Sequence, residues 1–119
     1  MVLTGGLDST QKAIATAEVF DPTTQSFTAA KGPMETARGY QTATVLKDGT
    51  VLVAGGVDAT GAPQSSAEIY DPTAETFSPT GSMAAARANH SANLLNDGSV
   101  LVTGGVSGTG AQGPSELYK

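Results

Sequence analysis

Short runs of β-branched and small apolar residues, closed by glycine, proline or an Asp-Gly pair, make up most of the chain. In the clearest case, residues 40–46 and 50–54 flank Asp48-Gly49. Asp-Gly between two such runs indicates a β-hairpin whose turn needs positive φ at both central positions. The second run lacks polar alternation, which is typical of a strand buried on both faces. Because no window keeps apolar residues at helical spacing, the pattern predicts short antiparallel strands throughout.

Two further runs complete a unit that recurs about every fifty residues. Residues 67–70 end at an Asp-Pro pair, and residues 76–78 are closed by Pro79, which favours an edge strand because proline lacks a backbone donor. We name the four strands of a unit a, b, c and d. The chain then has the strand order b-c-d, a-b-c-d, a-b-c. Such a period indicates a solenoid, propeller or array whose units bury their apolar faces against each other.

The same residue types recur at the same places in each unit. Glycine pairs follow the b strands, a glutamate and an aromatic-Asp pair lie in or after the c strands, and an arginine precedes each a strand. These residues are Gly5, Gly6, Gly55, Gly56, Gly104 and Gly105; Glu18, Glu68 and Glu116; Phe20, Asp21, Tyr70 and Asp71; and Arg38 and Arg87. We interpret the set as structural, with each arginine donating to backbone carbonyls or a glutamate and locking one unit to the next. The alternative is a ring of charges around a ligand pocket.

This recurring set resembles the kelch repeat, and most closely its bacterial form, which is similar to the blades of the galactose-oxidase central domain. The likeness also uses Phe77, where many members have Trp, with Met83 after it, and Phe27 with Met34 in the preceding copy. The resemblance implies an all-β fold of antiparallel four-stranded kelch-type propeller blades around a central axis. We expect about two and a half blades of an incomplete propeller: a partial blade at residues 1–38, a full blade at 39–82 and a partial blade at 83–119. Either the chain is a fragment of a longer protein, or copies associate to close a ring.

Composition excludes several classes of partner. The 119-residue chain has a net charge of −5, and its six basic residues are spread singly. Nucleic-acid binding needs clustered Lys and Arg, so we expect no nucleic-acid partner. No run approaches the roughly 18 apolar residues of a membrane helix, and we expect no membrane insertion. The first residues lack the features of a signal peptide, although similar bacterial repeats often belong to exported proteins.

Candidate binding residues lie in the loops that join b to c and d to a, which an antiparallel order places on one face. They are Asp8, Tyr40, Asp58, Asn89 and His90. The alternative interpretation is that all five are solvated loop side chains. A metal site needs three or four converging ligands, and one histidine with scattered aspartates does not provide them. We therefore expect no metal and no cofactor.

The sequence favours a binding or scaffold module that presents its loops to a protein or a carbohydrate, without catalytic activity of its own. One alternative is a fragment of a copper oxidase resembling galactose oxidase. The site of that family uses a tyrosine cross-linked to cysteine, with histidine ligands, and this chain has no cysteine and one histidine. Another alternative is a self-assembling propeller fragment, in which the hairpins at Asp48-Gly49 and Asp97-Gly98 permit exchange of blades between chains.

Overall fold

The computed structural model describes residues 2–4, 9–10, 12–21, 23–29, 32–106 and 115–118. These residues form ten strands and no helix, which confirms the predicted all-β class. The strands are β1 Val2–Thr4, β2 Ala17–Asp21, β3 Ser26–Ala29, β4 Thr42–Val45, β5 Val51–Ala54, β6 Ala67–Asp71, β7 Thr76–Thr80, β8 Ser91–Leu94, β9 Val100–Thr103 and β10 Glu116–Tyr118. No helix capable of crossing a membrane occurs in this described part.

The strands pair into three antiparallel sheets with neighbouring strands adjacent in sequence. We call them the first sheet (β1-β2-β3), the central sheet (β4-β5-β6-β7) and the third sheet (β8-β9-β10). Each corresponds to one repeat, and the predicted order b-c-d, a-b-c-d, a-b-c is confirmed. The sheets are therefore successive units of the blade type, which cannot bury both faces alone and stack on one another.

The hairpin between β4 and β5 has a different turn from the one predicted. The N–H of Gly49 donates to the carbonyl of Leu46 at 3.0 Å, and the N–H of Leu46 donates to the carbonyl of Thr50 at 2.8 Å. Only Gly49 has positive φ (+89°), so the prediction of positive φ at both central positions is wrong. The loop has three residues, in which a type I turn is followed by one left-handed glycine. Asp48 accepts bonds from the hydroxyl and N–H of Thr50, which lower the pKa of its carboxyl.

Two predicted strand limits are also wrong. Strand a of the central sheet begins at Thr42 and not at Tyr40, because Tyr40 has a left-handed backbone (φ +57°) that interrupts the extended chain. Strand d continues to Thr80 and includes Pro79, which lies opposite Glu68 in the register. Proline is accommodated there because β7 is an edge strand, where the missing N–H needs no partner in the sheet.

The central sheet is covered on both faces. All four residues of β5 are at most 7% exposed, which confirms the prediction of a strand buried on both sides. Val51 and Val53 belong to a first core with Met34 and Tyr70, and Ala15 of the first b–c loop packs against it. A second core joins the central sheet to the third and contains Leu52, Ala54, Ala67, Met83, Val100 and Val102. Burial between sheets, rather than within one sheet, therefore holds the repeats together.

Candidate functional site

The linkers that precede β4 and β8 lie beside the b–c loops of the preceding sheets. In each linker the N–H of the methionine and the N–H of the arginine donate to two b–c loop carbonyls. The pairs are Met34 to Ala15 (2.8 Å), Arg38 to Ile14 (3.1 Å), Met83 to Ser65 (2.8 Å) and Arg87 to Gln64 (3.0 Å). These bonds bring linkers and b–c loops together on one side of the sheets, which we call the loop face.

Arg38 and Glu68 form a buried ion pair at the loop face. The side chains are 0% and 2% exposed, and Nη2 of Arg38 lies 3.0 Å from Oε2 of Glu68. Nη1 donates to the carbonyls of Gly55 and Ser66, both at 2.9 Å. Glu68 also accepts bonds from the two N–H groups of residues 35–36, at 2.7 and 3.2 Å. A buried pair is tolerated when such additional bonds satisfy its remaining polar groups, and here they tie the linker to β6.

The same arrangement recurs at the third sheet. Nη2 of Arg87 lies 3.0 Å from Oε2 of Glu116, and Nη1 donates to the carbonyl of Gly104 at 3.2 Å. Glu116 accepts bonds from the N–H groups of residues 84–85. We call each arginine–glutamate pair a clamp. The second clamp is more open, because Glu116 is 16% exposed, whereas Arg87 is 1% exposed. Both arginines are thus buried in contacts between linker and sheet and do not form an exposed ring of charges.

The glycine pair Gly55-Gly56 lies where backbones approach closely. A Cβ atom at Gly55 would be 2.5 Å from the carbonyl oxygen of Arg87, in the linker of the next sheet. A Cβ atom at Gly56 would be 2.5 Å from the carbonyl oxygen of Gly39, in the linker of its own sheet. Gly55 therefore packs against the next repeat, and Gly56 packs against its own, as Gly105 does against Ala88. Gly5 and Gly6 lie outside the described residues.

The residues that end the c strands hold the c–d turns. Oδ1 of Asp71 accepts a bond from the N–H of Thr73 at 2.8 Å, in an Asx-type turn that explains the Asp-Pro pair. Tyr70 is buried, and its ring centroid lies 4.9 Å from that of Phe77 on the neighbouring strand. In the first sheet, Phe20 and Asp21 occupy the same register positions at the end of β2. Glu18, at the clamp position of β2, is exposed.

Tyr40 and Asn89 occupy equivalent positions in the two linkers, and both have a left-handed backbone, with φ of +57° and +56°. The N–H of Asn89 donates to the carbonyl of Tyr40 at 3.1 Å, which connects the two linkers. The Tyr40 side chain is 51% exposed, and Asn89 is also exposed. Such a backbone costs of the order of 1–3 kcal/mol at a non-glycine residue and is concentrated at functional sites. The structure therefore places two candidate residues side by side on the loop face.

Of the two aspartate candidates, Asp58 is bonded within its own b–c loop. Asp8 lies outside the described residues. Oδ1 of Asp58 accepts three hydrogen bonds: from the hydroxyl of Thr60 at 2.6 Å, from the N–H of Thr60 at 2.9 Å and from the N–H of Ala62 at 3.0 Å. These bonds, that of the Thr60 hydroxyl first, lower the pKa of Asp58 and close its own loop. In the described part of the chain, no three His, Cys, Asp or Glu side chains converge on a point that could hold a metal.

His90 is not a solvated loop residue, and that interpretation is wrong for this candidate. It is 8% exposed, and its Nε2 lies 3.0 Å from Oγ1 of Thr42 on the central sheet. Its Nδ1 is buried and has no hydrogen-bond partner among the described residues. The left-handed backbone at Asn89 exposes that side chain, while the following residue points between the central and third sheets near Gly55. His90 therefore belongs to the packing between repeats.

The burial of His90 predicts a pH dependence of stability. Burial first, and then the Arg87 guanidinium, lower the pKa of His90 below its ordinary value of 6.5. The unfolded chain then binds a proton at a higher pH than the folded chain, so stability falls as the pH drops through 6.5 and levels off below the folded pKa. Urea unfolding between about pH 8 and pH 5.5 measures this change. In His90→Gln, which installs the residue type of position 41, the change in this range should disappear; its persistence would contradict the assignment.

Stacked antiparallel sheets joined by clamped linkers define a repeat protein of the β-propeller type. Residues 38–84 match the family model of the Kelch motif, a segment that runs from the arginine of the first clamp through the whole central sheet. The match and the three sheets together support a kelch-repeat fold for the chain. A comparison with curated proteins gives no match.

Proposed function

We propose that this chain is a protein-interaction module of the kelch-propeller type, which holds its ligand on the loop face at Tyr40 and Asn89. The Kelch motif at residues 38–84 supports a module of this kind. The observation that carries the proposed site is the repeated left-handed backbone of two exposed residues, which a backbone hydrogen bond joins to each other. Strain of this type persists only where the surrounding structure holds it in place.

The chemistry of the two side chains suits recognition of a polypeptide. Tyrosine supplies a large apolar ring with a hydroxyl at its end, and it is enriched in the binding hot spots of protein interfaces. The asparagine amide both donates and accepts hydrogen bonds, so it can pair with the backbone of a partner. The buried Arg38 and His90 beside these residues fix the linkers. Fixed linkers reduce the entropy lost on binding.

We propose no catalytic activity for the chain itself. Three charged groups of the loop face are engaged in structure, because Arg38 and Glu68 are buried with each other and Asp58 closes its own loop. A carbohydrate is the alternative ligand for the same surface, because an aromatic ring and an amide also suit sugars. No feature of the described residues favours the copper-oxidase alternative.

Glycine substitutions test the proposed site without adding backbone strain. Tyr40→Gly and Asn89→Gly remove the side chains at positions where glycine relieves the left-handed φ. The 119-residue chain is screened against a random-peptide display library and a glycan array, and the affinity of any enriched binder is measured by calorimetry. We expect enriched peptides, and a dissociation constant raised at least about tenfold in Tyr40→Gly.

The matched control is Glu75→Gly. Glu75 has a similar φ of +60° but lies in the c–d turn, outside the loop face. This variant should bind like the parent chain. Enrichment on the glycan array alone would assign the surface to carbohydrates. Enrichment from neither library, or equal binding by Tyr40→Gly and Glu75→Gly, would contradict the proposed site.

A further inference from the structure

The two sides of the third sheet differ in burial. On the side toward the central sheet, Val100 and Val102 are 0% and 1% exposed, and Tyr118 packs against the second core. On the opposite side, Leu117 is 53% exposed, and Leu101, directly opposite it in the register, is half-buried. We call this opposite side, marked by Leu101 and Leu117, the outer face. An adjacent pair of one exposed and one half-buried leucine makes this sheet surface a candidate interaction site.

The central sheet shows what covers a face of this kind. Its residues at the positions of Leu101 and Leu117 are Leu52 and Ile69, which also lie opposite each other in the register. Leu52 is 1% exposed, and Ile69 packs against the second core. Both are covered by the side of the third sheet that carries the b-strand valines and the c-strand tyrosine. In the contact between the central and third sheets, the side with the two aliphatic residues on one sheet therefore packs against the side with the valines and the tyrosine on the next sheet.

The first sheet also has an exposed side of the kind that carries the aromatic residue of strand c. In the central sheet this side carries Tyr70 and Phe77, which lie opposite each other in the register and pack in or against the first core. The equivalent register pair in the first sheet is Phe20 and Phe27. Phe27 is 52% exposed, whereas Phe77 is half-buried. We call the side of the first sheet that carries Phe27 the far face.

We propose that the outer face of one chain docks on the far face of a second copy, head to tail, so that two chains close a ring. The occupant is assigned by continuity with the interface between the central and third sheets, which joins the same two kinds of face. Each chain contributes three sheets in its described residues, so two chains contribute six. Closed propellers have roughly four to eight blades, and six sheets lie within this range. Two identical junctions close the ring with two-fold symmetry.

The proposed junction is weaker than the junctions inside the chain. Inside the chain, each linker adds a buried methionine and an arginine clamp, such as Met83 with the pair Arg87–Glu116. The described residues contain no such linker across the far face, where Glu18 is exposed at the clamp position. We therefore expect a dimer that dissociates on dilution.

Light scattering after size exclusion, over a series of loading concentrations, tests the proposal. At high concentration we expect a discrete species of about twice 11.9 kDa with a β-type circular dichroism spectrum. Leu117→Lys and Phe27→Lys should each raise the dissociation constant at least about tenfold, because each buries a charge in the junction. Val45→Lys is the control, since Val45 is 62% exposed but belongs to the central sheet, and this variant should dimerise like the parent.

A mixture distinguishes head-to-tail docking from docking of two outer faces. An equimolar mixture of Leu117→Lys and Phe27→Lys retains one unaltered junction, so dimers should reappear in the mixture and not in either variant alone. If two outer faces dock together, Phe27→Lys dimerises like the parent, which would overturn the proposal. A folded monomer at every concentration, or a polydisperse aggregate of the parent chain, would overturn it as well. If circular dichroism shows that Leu117→Lys does not fold, Leu117→Ser takes its place.

Discussion

Replacing Glu68 by alanine is expected to lower the free energy of unfolding by about 3 to 5 kcal/mol. The substitution leaves the guanidinium of Arg38, which is 0% exposed, without the carboxylate that lies 3.0 Å away. It also removes the acceptor of the two linker N–H groups at residues 35–36. A buried donor without a partner costs roughly 1–3 kcal/mol in addition to the lost attraction. Domains of this size have a free energy of unfolding of only about 5–15 kcal/mol, so the substitution would remove a large part of the stability of the chain.

The second clamp provides the control for this prediction. Glu116→Ala removes the same contacts, but Glu116 is 16% exposed where Glu68 is 2% exposed. Water reaches the second site more easily, so we expect a loss below about half of that for Glu68→Ala. Urea unfolding followed by circular dichroism measures both. Adding Arg38→Met to Glu68→Ala removes the uncompensated charge and should recover part of the stability. Equal losses at the two clamps, or no recovery, would show that burial does not govern the clamp.

Strand order and sheet pairing could be predicted because they depend on short-range signals. The Asp-Gly turns, the glycine pairs and the Asp-Pro pairs each mark a strand end within a few residues, and their repetition removes ambiguity. The uninterrupted apolar run of β5 predicted burial on both faces, and its four residues are at most 7% exposed. These features depend on residues close together in the sequence, so they can be recognised without knowledge of the tertiary structure.

The errors concern features that depend on loop length or on contacts between repeats. The Asp-Gly pair predicts positive φ at both central positions, but only Gly49 has it, because the hydrogen bonds of Leu46 close a three-residue loop. The left-handed backbone of Tyr40 shortens β4, and its carbonyl is bonded to Asn89 of the next linker. A contact between residues 49 positions apart leaves no local signal in the sequence.

In the candidate site, too, the local features could be predicted and the contacts between repeats could not. Repetition singled out Arg38 and Glu68, but the linker N–H groups that complete the clamp carry no side-chain signal. The burial of His90 depends on Gly55 of the preceding sheet, whose missing side chain leaves room for the imidazole. Gln41, the residue at the same position in the previous copy, is half-buried. The equivalence of Gln41 and His90 in the repeat is the one feature of the sequence that points to a buried side chain at position 90.

The substitution Gly55→Ala is expected to lower the free energy of unfolding by about 2 to 5 kcal/mol. Gly55 has a φ of +69°, and a left-handed backbone costs alanine about 1–2 kcal/mol. The added Cβ would also lie 2.5 Å from the carbonyl oxygen of Arg87 and 2.7 Å from Cε1 of His90. The carbonyl is held in place because the N–H of Gly56 donates to it at 2.9 Å. Overpacking of this kind adds roughly 1–3 kcal/mol.

Gly104 separates the two contributions. It occupies the same position in the third sheet with a φ of +72°, but no atom among the described residues lies within 4 Å of its Cβ position. Gly104→Ala should therefore lose only the backbone contribution of about 1–2 kcal/mol. The difference between the two variants, measured by urea unfolding, reports the close packing of the second linker on the central sheet. If both variants lose the same amount, the carbonyl of Arg87 does not press on a side chain at position 55, and close packing there does not add to the stability.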